Sequence, residues 1–142
     1  MADNLSIILN NQYFTFPVRV YYEDTDAGGV VYHARYLHFF ERARTEYLRT
    51  LNFSQQSLLQ EQQVAFVVKT MSIDYCIPAK LDDYLIVETE ITAVKGATIL
   101  FEQRLVRETV VLSKATVKVA CVDLGKMKPV AIPEELKAAF LK

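Results

Sequence analysis

Glycine and proline are scarce in this chain, four of each among 142 residues. That scarcity excludes a disordered, collagen-like or low-complexity chain, and 51% hydrophobic residues supply material for a core. Cysteine is nearly absent too. Cys76 and Cys121 sit in apolar strand-like runs, where they read as reduced, buried residues of a cytoplasmic protein and not as a disulfide framework or metal motif. No charge of one sign dominates: 16 basic against 17 acidic residues give a net charge of -1. A nucleic-acid partner normally demands a basic stripe, so none is expected. No apolar run approaches the ~20 residues of a membrane span. Residues 1–12 contain no Lys or Arg and hence no basic leader. They read as a flexible N-terminal extension of a single domain covering 1–142.

What is present is patterned. Phe14, Phe16, Val18, Val20 and Tyr22 alternate with Thr15, Pro17, Arg19 and Tyr21, the period of a strand with one face buried. Pro17 donates no backbone hydrogen bond, which puts it at the strand start or on a sheet edge. The period then changes. Tyr36, Phe40, Ala43, Tyr47 and Leu51 are spaced by 4, 3, 4 and 4, a helical stripe widened by Leu37 and Leu48. Arg42, Glu46 and Arg49 fall on its wet face. A second, short helix is expected from Ser54 to Gln62.

From Val64 the chain is strand-like: Met71, Ile73 and Tyr75 alternate with polar residues, and a break at Pro78 to Asp83 follows. Then come runs at Tyr84–Val94 and Ile99–Arg107 without clean alternation, a turn at Lys95-Gly96 between them, and alternation again at Ala115–Cys121. Glu134–Leu141 closes it as a short helix. Short links favour antiparallel pairing. One striped helix against five such strands is a two-layer α+β domain. A lone helix cannot cover the whole sheet, so part of the sheet should be buried between subunits.

The chemistry concentrates in Tyr22-Glu23-Asp24-Thr25-Asp26-Ala27-Gly28-Gly29-Val30-Val31-Tyr32-His33, between the first strand and the helix. Asp26 follows a strand and faces a helix start, whose first N–H groups have no intrahelical partner. Gly28 and Gly29 permit close approach of a ligand. A carboxylate that activates water or attacks a carbonyl itself, beside an amide near His33 that polarises that carbonyl, suffices for ester or thioester cleavage. From spacing alone, Asp24 and Asp26 read first as caps of a turn or helix, as Asp commonly is. A metal site from Glu23, Asp24, Asp26 and His33 matches no Ca²⁺ or Zn²⁺ spacing. Tyr32, Tyr36 and Phe40 fit a substrate pocket or plain core. His38, within the helix, reads as packing or surface.

That loop closely resembles the catalytic loop of the 4-hydroxybenzoyl-CoA-thioesterase-type hot-dog family. Arg19-Val20-Tyr21-Tyr22 and Phe40-Glu41-Arg42-Ala43-Arg44-Thr45-Glu46 are more specifically similar to the bacterial acyl-CoA thioesterases linked to the Tol-Pal envelope system. Further matches are Phe53-Ser54-Gln55-Gln56, Ala65-Phe66-Val67-Val68, Tyr75 with Pro78-Ala79, Cys121-Val122-Asp123 and Lys126-Met127-Lys128-Pro129.

The resemblance implies a hot-dog fold, a five-stranded antiparallel sheet wrapped around one long helix. It implies an acyl-CoA thioesterase working without metal or cofactor, as a homodimer or homotetramer with active sites between subunits. Asp26 is then the catalytic carboxylate, and the backbone amide of His33 the carbonyl polariser. Gly28, Gly29, Tyr32 and Tyr36 would bind substrate. Lys69, Lys95 and Lys128, with Lys126, are candidates for the phosphates of coenzyme A, although each alone reads as a solvated lysine. Two other functions stand beside this one: a non-catalytic scaffold that engages acyl carrier protein or phospholipid-synthesis enzymes at the inner membrane, and a hot-dog dehydratase. The dehydratase would need the His33 side chain, which a thioesterase using only its amide can lose.

Overall fold

The computed structural model describes residues 13–51 and 63–140. The expected extension at 1–12, the helix at Ser54–Gln62 and residue 141 of the terminal helix lie outside them.

Strand β1 (Phe14–Arg19) leads through a 3-10 turn (Tyr22–Asp24) and a loop into helix α1 (Arg35–Thr50). Strands β2 (Val64–Tyr75), β3 (Tyr84–Lys95), β4 (Thr98–Arg107) and β5 (Val110–Asp123) follow. A two-residue strand β6 (Lys128–Pro129) and helix α2 (Glu134–Phe140) complete the described chain. All pairings are antiparallel, in the order β1-β3-β4-β5-β2, with β6 beside the end of β5. The sheet therefore has six strands, one more than the periodicity indicated. A strand of two residues, one of them Pro129, leaves no alternation to read.

Pro17 lies on an edge strand, as its missing N–H requires. Helix α1 packs against β1 and β3 with Tyr36, Phe39, Phe40, Ala43, Arg44 and Leu48 buried. The buried arc is wider than the expected stripe, taking in Phe39 and Arg44, although Leu37 in the first turn is 42% exposed. Glu46 pairs with Arg49 on the wet face.

Beneath α1, Leu85, Val87 and Thr89 of β3 alternate with half-buried neighbours, as do Ile99, Phe101, Gln103 and Leu105 of β4. The other edge strand is different. Along β2 most side chains are exposed, Val67 and Val68 each at 48%. The β2–β5 register shifts between Val68 and Thr70, a bulge that places Lys69 in solvent. Cys121 is buried as expected, but Cys76 is exposed: it lies just past the end of edge strand β2, where its amide still donates to the Leu112 carbonyl at 2.9 Å while its side chain stays uncovered.

Candidate active site

The loop between β1 and α1 is anchored by Asp24. This carboxylate is buried; it accepts from the Tyr21 amide at 2.9 Å and from Arg35 Nε at 2.9 Å, and Arg35 Nη2 stands 2.8 Å from it. Glu23 Oε2 lies 3.3 Å from the same guanidinium. Glu23 and Asp24 thus serve Arg35, and both expected caps are present: Asp24 accepts from the Tyr21 amide, and Asp26 from the Gly28 amide. Removing Arg35 would strand a buried charge, which costs about 3–5 kcal/mol in a fully buried pair. A quarter of the Arg35 side chain is exposed, so Arg35→Ala is expected to lower stability by about 2 kcal/mol in denaturant titration.

Downstream the loop folds on itself and on the segment before β3. The Asp26 amide donates to the Val30 carbonyl at 2.9 Å, and the Gly29 amide to the Asp26 carbonyl at 3.1 Å. Gly29 has φ +82°, a left-handed angle that a side chain would strain. The Val31 amide donates to the Ala79 carbonyl at 2.8 Å, and Val30 bridges to Lys80.

Asp26 itself is exposed. Its Oδ1 accepts from the Gly28 amide at 2.8 Å, a local turn that leaves Oδ2 without an acceptor role among the described residues. Next to it opens a cleft of about 340 Å³ lined by Val30, Val31, His33, Tyr36 and the Tyr75–Pro78 segment. Asp26 is not part of that lining within one chain.

His33 and Ala34 form the turn that enters α1, and among the described residues no acceptor stands against their N–H groups. The successive peptides are held firmly. The Tyr32 amide donates to the Asp24 carbonyl at 2.9 Å, and the Arg35 amide to the Tyr32 carbonyl at 2.9 Å. The His33 carbonyl accepts from Tyr75 Oη at 3.1 Å.

Tyr36 is both core and cleft wall: it is buried, its Oη accepts from the Ala79 amide at 3.1 Å, and its ring meets Tyr75 edge-on at 5.0 Å. Burial pushes its phenol above the usual range, although the Ala79 amide works the other way. Tyr32 is exposed and contacts the His33 ring at 4.5 Å, outside the cleft lining.

None of the three lysines lines this cleft. Lys69 projects from the β2 bulge. Lys95 ends β3, roughly 36 Å along the strand from Tyr84 and the loop. Lys128 pairs with Asp123 beside Val64, at the opposite end of β2 from Tyr75. Sequence reasoning missed Lys80, which is exposed and bridged to Val30 of the cleft wall, and it assigned no role to Tyr75 or Arg35.

A second cavity, about 80 Å³, lies farther along α1, lined by Glu41, Arg44, Leu48, Phe66, Val68, Ile99, Phe101 and Val119. It has neither an open helix start nor a glycine loop. Arg44 there is 8% exposed and donates to Gln103 Oε1 at 3.0 Å. Burial lowers its pKa, an effect that Glu41 partly offsets.

Residues 20–140 match the thioesterase-like superfamily. Over 127 residues, 89% of this chain and 93% of the relative, the sequence is 84% identical to an acyl-CoA thioesterase, YbgC, of Haemophilus influenzae. Among solved structures, a probable thioesterase from Bartonella henselae superposes with a TM-score of 0.81 at 39% identity, over 85% of this chain and 99% of that one. A 1,4-dihydroxy-2-naphthoyl-CoA thioesterase from Synechocystis gives 0.85 at 26% identity, over 92% and 96%. The antiparallel sheet and its long helix are those of the hot-dog thioesterases.

Proposed function

The chain belongs to the thioesterase-like superfamily, and from that premise we propose that it hydrolyses acyl-CoA to a free acid and coenzyme A. Asp26 is the general base or the nucleophile, and the His33 N–H polarises the carbonyl. The observation that carries this reading is the open N–H of His33 at the edge of the cleft, on the same loop as an exposed carboxylate. As the carbonyl carbon becomes tetrahedral, its oxygen gains charge, and a fixed N–H at a helix start stabilises that charge without reorganising. The C–S bond then breaks and coenzyme A departs as thiolate. A thiolate is a good leaving group, so the step calls for no strong acid and no cofactor.

Asp26 stands beside the cleft instead of inside it, which supports a site completed by a second copy, as a homodimer or paired homotetramer. The β2 edge, unpaired among the described residues and carrying exposed Val67, Val68 and Tyr75, supports the same reading. Gly28 and Gly29 let substrate approach, Tyr36 walls the acyl side, and Tyr32 flanks the entrance. Phosphates of coenzyme A are met by exposed lysines, Lys80 from the same chain and Lys69, Lys95 or Lys128 from a neighbour. No described helix is long and apolar enough to cross a membrane. A cytoplasmic location, and acyl carrier protein as a second donor, belong to the same proposal.

Thiol release from a panel of short, long and aromatic acyl-CoAs tests the function, and no release from any of them would contradict it. Lys80→Ala is expected to raise KM about threefold at low salt and less at high salt, since exposed charge pairs contribute up to about 1 kcal/mol and are screened.

A further inference from the structure

We infer that the Tyr75 hydroxyl is a positioning group for the carbonyl-polarising turn. The inference rests on the thioesterase reading above and deepens it. Three consecutive peptides lead into α1, and each has one carbonyl or amide fixed. The bond to Asp24 holds the amide of Tyr32, and the bond from Arg35 holds its carbonyl; both come from the turn's immediate surroundings. The third peptide, between His33 and Ala34, is reached from outside. Its carbonyl accepts from Tyr75 Oη at 3.1 Å, across 42 residues of sequence, and from the Tyr36 amide at a longer 3.3 Å.

Tyr75 is also fixed as a ring. It ends β2, opposite Ser113, and stands edge-on to Tyr36 at 5.0 Å and to the His33 ring at 6.4 Å. Its ring is part of the cleft wall while its hydroxyl grips the backbone behind the polarising amide. Two consequences follow for the reaction. Holding the His33 carbonyl restricts rotation about His33, and so supports the adjoining Tyr32–His33 peptide, which carries the His33 N–H and is itself held through the Tyr32 carbonyl by the Arg35 amide. A donor on that carbonyl also draws density through the His33–Ala34 peptide, which makes the open N–H of Ala34 a stronger donor at the same helix start. Neither effect requires Tyr75 to touch the reacting atoms. Tyr75 acts through the backbone, and its signature is a loss in the chemical step and not in substrate binding.

Tyr75→Phe keeps the ring and both edge contacts and removes only the hydroxyl. Steady-state thiol release from the best acyl-CoA should show kcat about fivefold lower, the scale of one hydrogen bond, with KM within about twofold. Replacing Tyr75 with para-aminophenylalanine, which restores a donor on the same ring, should recover most of kcat. If Tyr75→Phe leaves kcat unchanged, or raises KM instead, the positioning role is overturned and Tyr75 is merely cleft wall. If Tyr75→Phe folds poorly, failure of the donor-bearing analogue to recover kcat overturns it equally. Loss of the thioesterase reading is a separate result, seen when the parent protein releases no thiol or when Asp26→Asn matches it.

Discussion

Asp26→Asn should lower kcat for thiol release by at least about a hundredfold, the lower end of what a positioned acid–base group contributes. The fold should not notice. Asp26 is exposed, and the bond it makes, from the Gly28 amide to Oδ1, is one that the amide oxygen of Asn can accept equally well. Its melting temperature should therefore match the parent closely, as for surface changes that disturb no packing. KM should also stay close, because the lost charge acts on the attacking water or on the carbonyl carbon and not on the coenzyme. Activity equal to that of the parent would remove Asp26 from the mechanism. A large fall in stability would instead mean that the carboxylate anchors the loop, the role held here by Asp24.

A comparably large effect, on stability, is expected from Gln103→Leu. Gln103 lies on the inner face of β4 and is 1% exposed. It accepts from Arg44 Nη1 at 3.0 Å, and its Nε2 donates to the Phe40 carbonyl at 3.0 Å and to Thr89 Oγ1 at 2.9 Å. One side chain thus ties the middle of α1 to β3 and β4. Leucine matches the volume but satisfies none of these groups. It would leave a buried guanidinium and the buried Thr89 hydroxyl without this partner, and the Phe40 carbonyl with its helical bond alone, a cost of about 3–5 kcal/mol together. For a domain of this size that is a fall in melting temperature of roughly 10 °C. The double variant Arg44→Met with Gln103→Leu should recover part of the loss, because it removes the stranded charge along with its acceptor. A fall below about 1 kcal/mol in the single variant would show that water already reaches Arg44.

How far each of these groups can be read from sequence depends on the reach of its contacts. The helix period located α1 within a residue; alternation marks β1, the second half of β2 and the later part of β5, whereas β3 and β4 show only as apolar runs and the start of β5 at Val110 escapes it. Spacing alone marks the loop only as a turn between a strand and a striped helix; its catalytic reading comes from the family resemblance of Tyr22 to His33. The miss at Phe39 arises because the sheet contacts more of α1 than a single stripe, so a wider arc is covered. Arg44 was discoverable: it sits midway between Phe40 and Leu48 at spacings of four, and only its charge hid it. Asp24 with Arg35, and Tyr75 with the His33 carbonyl, join residues 11 and 42 apart, and no local periodicity encodes such pairings. The lysines show the same limit. With β3 and β5 spanning 12 and 14 residues, a side chain's distance from the loop depends on register and strand direction, which composition does not carry.

The most direct test of the central claim is a crystal structure with an acyl-coenzyme A ketone, in which a methylene replaces the thioester sulfur and the carbonyl is kept. The carbonyl oxygen should lie about 2.7–3.2 Å from the His33 amide nitrogen, with an Asp26 carboxylate facing the carbonyl carbon. A carbonyl bound elsewhere, for example in the cavity beside Arg44 and Phe66, with the His33 N–H facing solvent, would contradict it.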